Sequence, residues 1–209
     1  MKRFCMLFLI GIMTASLAEA QQIMYSNLKH LAEGRGDTVT ILHIQKRTKN
    51  QIYLMGGADY HISADDNASL GRYIKRRCYA IQIDTALYVN CRKMRYKNYR
   101  FGNWYAPAMR IGDKVYYSAQ PLGQAATSSS IPDDATKLGG KVGDAILASG
   151  LADVRVYYEL DLSTGKSDFV SRERMLQLLS GHPDLKAAYE QENSEQADVV
   201  GRYLRQLLK

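Results

Sequence analysis

The sequence predicts an α+β fold: antiparallel β hairpins in a meander, a short helix among them, and a C-terminal helical segment packed on the sheet. Three observations point there. Runs of β-branched and aromatic residues separated by turn residues fill positions 37–119 and return at 154–170. Leu70, Tyr73 and Ile74 interrupt them once with the i, i+3, i+4 spacing of a helix. From Ser171 onward the apolar spacing is helical throughout, and runs of strands followed by runs of helices characterise this class.

Residues 1–20 read as a secretory signal peptide, with a charged start (Lys2, Arg3), an apolar run from Phe4 to about Ala15, and the small-residue ending Ala18-Glu19-Ala20. The run covers about a dozen residues, short of the roughly 20 that a spanning helix needs. After cleavage the protein is therefore expected to begin near Gln21, to span no membrane, and to work in the periplasm or at the cell surface. No cysteine follows the run directly, which disfavours lipidation.

Residues 21–119 form the predicted β-rich core. Met24, Leu28 and Leu31 at i, i+4, i+7 ahead of Gly34 suggest a short first helix. Residues 38–44 and 51–55 read as a hairpin joined by the polar Lys46-Arg47-Thr48-Lys49-Asn50 and ended by Gly56-Gly57. Asp65-Asp66-Asn67 offers caps for a helix closing on Lys75, Arg76 and Arg77, with bases placed where the helix dipole favours them. Residues 104–109 and 115–119 are two further strands around Gly112-Asp113. Residues 120–153, small, polar and punctuated by Pro121, Gly123, Ser128, Ser129, Ser130 and Pro132, form a flexible connection. Residues 154–209 give a hairpin turning at Ser163-Thr164-Gly165-Lys166, then helices capped by Ser171, stopped at Gly181 and reopened at Pro183, as part of the same domain or a small subdomain.

Cys78 and Cys91 flank two β runs that meet at Asp84-Thr85. With those two residues as the loop, 83 faces 86, 80 faces 89 and 78 faces 91, the last on a non-hydrogen-bonded pair with Cα atoms about 4.5 Å apart. That separation suits a disulfide, and export licenses one; a loop of this size is worth about 3 kcal/mol. The expectation has a weakness in the turn, because Asp-Thr is a poor two-residue hairpin loop. A one-residue slip sends the sulfurs to opposite faces.

The chain carries a formal charge of +7, and removal of Lys2, Arg3 and Glu19 with the leader leaves +6. Eleven bases against two acids lie between Arg72 and Lys114, interleaved in part with aromatics. Arg95, Tyr96, Lys97, Tyr99, Arg100, Trp104 and Tyr105 form the candidate ligand surface on this ground. Basic grooves with aromatic platforms bind single-stranded nucleic acid, but export argues against that partner. Anionic glycans, anionic lipid headgroups or an envelope protein are the partners expected, with attraction that weakens in salt. The competing reading makes these charges the solvated faces of strands whose aromatics point inward. Paired aromatics such as Tyr116-Tyr117 and Tyr157-Tyr158 place one ring on each face of a strand, one in the core and one free to bind.

The residues supply no recognisable catalytic or metal site. His30, His43, His61 and His182 make no HxxxH or HExxH spacing. There is no G-x-S-x-G elbow, phosphate loop or dinucleotide fingerprint, and Asp65, Asn67 and Ser69 lack the glycine and glutamate that complete a calcium loop. No cofactor is expected. His61 beside Asp59 is the one His and carboxylate cluster, and a cleft gathering His61, Asp59 and Asp84 would turn the reading toward an enzyme.

Residues 46–57 together with 87–91, 157–166 and the closing Tyr203-Leu204 resemble an uncharacterised family of exported Bacteroidetes proteins. The resemblance implies export and assigns no site residues. The favoured function is a non-enzymatic binding or accessory protein of the periplasm or cell surface. The alternatives are an envelope-polymer hydrolase with an unrecognised site and a structural envelope protein recruited by anionic lipid.

Overall fold

The computed structural model describes residues 21–39, 42–64, 67–128 and 153–208. The predicted signal peptide and the greater part of the predicted connection, 129–152, lie outside these residues. The described chain is α+β, built on a mostly antiparallel sheet with helices on its faces. No helix among the described residues is long and apolar enough to cross a membrane.

The strands are β1 (Gln22–Tyr25), β2 (Asp37–Val39), β3 (His43–Lys46), β4 (Tyr60–Ser63), β5 (Ala80–Ile83), β6 (Ala86–Asn90), β7 (Arg95–Tyr96), β8 (Tyr99–Arg100), β9 (Tyr105–Ile111), β10 (Lys114–Ala119), β11 (Val156–Asp161) and β12 (Ser167–Phe169). The helices are α1 (Leu28–Glu33), α2 (Lys49–Met55), α3 (Ala68–Arg76), α4 (Arg172–Leu178), α5 (Pro183–Glu192) and α6 (Ala197–Gln206). In space the strands run β2-β1-β5-β6-β9-β10-β11-β12-β7-β8, with β4 joining β3 to β9.

This order forces the sheet to curl. β7 follows β6 in sequence but lies five strand spacings away from it, a distance of about 24 Å if the sheet were flat. The chain from Asn90 to Arg95 reaches at most about 18 Å, and a 3₁₀ turn at Cys91–Lys93 shortens it further. The β7–β8 end of the strand series must therefore curl back toward β6 around an enclosed core. That core holds Val89, Cys91, Ala106, Tyr117, Tyr158 and Leu160. Its centre is aromatic, with Phe101 edge-on to Tyr158 at 4.6 Å and Tyr117 stacked on Tyr158 at 5.6 Å between ring centroids.

Two further clusters cover the outside. Helices α4 to α6 bury Met175, Leu179, Tyr189, Val200 and Leu204 against Tyr116 and Tyr157, while α3 lays Ile74 over Ile62, Ile81 and Tyr105. The alternation of paired tyrosines is as expected, but its consequence differs. Tyr116, Tyr117, Tyr157 and Tyr158 are all buried, because the C-terminal helices occupy the face that a bare sheet would have left open.

The hairpins at Asp84-Thr85 and Gly112-Asp113, the helix capped by Asn67, and the α4 and α5 boundaries stand where the sequence places them. Residues 51–55 do not form a strand. Thr48 Oγ1 accepts from Gln51 N and Gln51 Oε1 accepts from Thr48 N, a capping box that starts α2. The T-x-x-Q signature outweighs the β preference of Ile52 and Tyr53, and β3 pairs instead with β4, over Lys46 to His43 against Tyr60 to Ser63. The first apolar spacing likewise divides, with Met24 in β1 and Leu28 and Leu31 in α1.

The Cys78–Cys91 disulfide does not form; both thiols are free and buried. The hairpin register is the expected one, with Ala80 opposite Val89 and Ile83 opposite Ala86. The strand alternation, however, stops short of Cys78, whose N–H donates to Tyr73 O at the exit of α3. Its side chain consequently joins the cluster under α3, whereas Cys91 keeps the face of Val89 and enters the enclosed core. Desolvation pushes the Cys78 thiol up to about 11 and raises Cys91 further still, so both stay protonated.

A basic cleft at the sheet seam as candidate functional site

The curl closes where β7 meets β12, and the closure is a single parallel bridge between Tyr96 and Ser167. On one wall, β7 and β8 form a tight hairpin pairing Arg95 with Arg100 and Tyr96 with Tyr99, with Lys97 in its turn at φ 52°. Alternation sends Tyr96 inward, where it is 2% exposed and lies 5.3 Å from the Tyr158 ring. Arg95 points the other way into solvent, and Lys97 is exposed at the turn.

The opposite wall is the β11–β12 turn. Asp161 Oδ1 accepts from the amides of Ser163 and Thr164 at 2.8 Å and from the Ser163 hydroxyl, while its other oxygen receives Lys114 Nζ. The Lys114 ammonium, then the Ser163 hydroxyl and the Thr164 amide, hold this carboxyl far below the usual carboxylate range. It therefore stays charged and keeps the turn wound, with Gly165 at φ 71° delivering Lys166 to the cleft.

Between these walls lies a cleft of about 390 Å³ lined by Arg95, Lys97, Gly165, Lys166, Ser167 and Asp168. Three cations face one carboxylate. Lys97 Nζ donates to Gln124 Oε1 at 2.9 Å and sits 5.2 Å from the centre of the Tyr96 ring, which steadies its position at the rim. The Ser167 hydroxyl is buried on the core side of this wall, within reach of the Tyr117 hydroxyl. Burial raises the Tyr117 phenol well above its ordinary value and leaves it a neutral donor.

The structure thus divides the candidate ligand surface. Arg95 and Lys97 line the cleft, and Arg100 and the half-exposed Tyr99 stand beside them on β8. Tyr96 is core. Tyr105 is core as well, donating its hydroxyl to Ile74 O at 2.8 Å. Trp104 belongs to a different corner, a cleft of about 130 Å³ with Gln45, Arg47, Gln51, Met55 and His61. Its backbone takes φ 78°, rare for so large a side chain. His61 meets its ring edge-on at 4.5 Å, and Arg47 and Lys75 lie over it at 5.2 and 5.6 Å. A third cleft, of about 340 Å³, is lined along α3 by Ser69, Arg72, Tyr73, Arg76 and Arg77.

His61, Asp59 and Asp84 are not brought together. Asp59 is held by Arg155, Asp84 sits in the β5–β6 turn at φ 54°, and neither lines the cleft that His61 lines. Lys166, Ser167 and Asp168, by contrast, share a cleft with Arg95 although nothing local links the two segments; the sequence signal available was the Ser163-Thr164-Gly165-Lys166 turn, which fixes the tip and says nothing of its neighbour.

The profile of a family of unknown function, DUF6563, matches residues 23–209. The chain belongs to DUF6563. The match takes in both walls of the seam cleft, so the cleft is part of the DUF6563 domain itself. No curated protein and no solved structure matches the chain.

Proposed function

We propose that this DUF6563 protein is an exported, non-enzymatic binding or accessory module whose seam cleft receives an anionic group, the carboxylate, sulfate or phosphate of an acidic glycan or a lipid headgroup. The observation that carries the reading is the convergence of Arg95, Lys97 and Lys166 on one cleft from two walls, against Asp168 alone. Charge-assisted hydrogen bonds from such groups are about twice as strong as neutral ones. The dispersal of His61, Asp59 and Asp84 favours binding over hydrolysis.

The test is titration of the protein with heparin and, separately, with phosphatidylglycerol vesicles, comparing the natural chain with Arg95→Gln/Lys166→Gln. Salt-sensitive binding that the double variant weakens supports the cleft, and the arm that responds names the source of the anion. Binding to both probes that the variant leaves unchanged sinks it. Sequencing of the exported protein from its N-terminus is expected to read from Gln21.

A further inference from the structure

The corner formed by β3 and α2 is exposed in a way the fold does not require. α2 buries Ile52 alone, and leaves Tyr53, Leu54 and Met55 at 62, 79 and 71% exposure. Three consecutive large apolar residues in water are costly, at about 25 cal/mol for each Å², and contiguous apolar patches of this kind mark interaction surfaces.

The charge around the patch selects its partner. Residues 42–58 contain no aspartate or glutamate and carry Lys46, Arg47 and Lys49. Arg47 is committed, its guanidinium donating to the carbonyls of Gln51, Gly56 and Ala58 at 2.8 Å each, which fixes the end of α2 to the strand before it. Lys46 is exposed at the rim, whereas Lys49 is held by Asp153, its Nζ 2.8 Å from Oδ2. On the side of Met55, Lys75 lies over Trp104, and Arg92 Nη1 donates to Asn103 Oδ1 at 3.1 Å. An apolar tip with cations around it, led by a tyrosine, has the composition of a segment lying in a membrane interface, with apolar side chains below the headgroups and lysines among the phosphates.

We infer that the α2 tip is an interfacial anchor: Tyr53, Leu54 and Met55 enter the outer layer of an anionic bilayer while Lys46, Lys75 and Arg92 meet its phosphates. The anchor is separate from the seam cleft and stands or falls without it. The rigid mounting follows from the contacts already named, since the capping box starts α2 and Arg47 ties its end.

The experiment replaces Tyr53 with tryptophan in the full chain and follows its emission. Trp104 is the one native tryptophan and lines a cleft with Met55, so the change is made in a Trp104→Phe background, where the emission is that of position 53 alone. The expected result is solvent-exposed emission without lipid, a blue shift and quenching on brominated phosphatidylglycerol vesicles, weaker quenching on phosphatidylcholine or in high salt, and loss of most of the quenching when Leu54→Ser and Met55→Ser are added. Arg95→Gln/Lys166→Gln should leave the quenching intact. Quenching that survives the two serines overturns the anchor, as does quenching that disappears with the seam variant. Emission already blue without vesicles also overturns it, and sedimentation of that sample then shows whether a second copy or the chain itself covers the tip.

Discussion

Arg155 Nε donates to both carboxylate oxygens of Asp59, at 2.9 and 3.1 Å, and its Nη2 donates to Oδ1 at 2.6 Å. The pair lies only 14 and 16% exposed, and Asp59 O also accepts from Arg47 N. It ties the turn before β4 to the start of β11. Removing one member of such a pair leaves an uncompensated buried charge, which costs about 3 kcal/mol or more. Arg155→Ala is expected to lower the thermal midpoint by about 10 °C in calorimetry. Replacing both members with apolar residues of similar volume should recover much of the loss, and a single variant as stable as the natural protein would show the pair to be dispensable.

The free thiols give a second prediction. Reductant should leave the thermal midpoint unchanged, and peptide mapping after labelling at pH 8 should find Cys78 and Cys91 unmodified in the folded protein and modified after unfolding, because burial keeps both protonated and out of reach. A midpoint that falls on reduction would reinstate the disulfide.

Gly57 has φ 83°, and a Cβ there would stand 2.5 Å from Asn103 O, a backbone atom. Gly34 also has positive φ but faces open space. Gly57→Ala should therefore destabilise by about 2 kcal/mol or more and Gly34→Ala by about 1 kcal/mol, measured by urea unfolding. The Gly57 change should also disturb Trp104 fluorescence, since the added methyl would meet Trp104 Cδ1 at 2.9 Å.

Asp161 supplies the pH dependence. Its folded carboxyl is held below the unfolded value, so its contribution to stability is complete above the ordinary aspartate range near about 4 and is lost as pH falls through the depressed folded value. The midpoint difference between the natural protein and Asp161→Asn should accordingly be present at pH 6 and shrink in acid. A difference that grew as pH fell would contradict the sign.

Local patterns announced much of this fold, and non-local ones did not. Asn67, Ser171, Gly181 and Pro183 marked helix ends because caps act within one turn, and the Asp84 turn set the register of β5 against β6 for the same reason. The inward path of Tyr96 and Tyr105, the helices over Tyr116 and Tyr157, and the meeting of Arg95 with Lys166 depend on strand order, which no short window encodes. Cys78 departs from the strand pattern for a related reason: it belongs to the exit of α3. At the candidate site, Arg95 and Lys97 were legible as a basic run, whereas their partners across the cleft were not.

The seam joins Tyr96 to Ser167, 71 positions apart, through one bridge. Closing so long a loop for so little local reward places this contact late in assembly, after the longer pairings of β9, β10 and β11 have formed. An anion gripped by Arg95 on one side and Lys166 on the other would act as a clasp across this single-bridge joint. Occupancy should then register in amide exchange at β7 and β12 before it registers anywhere else.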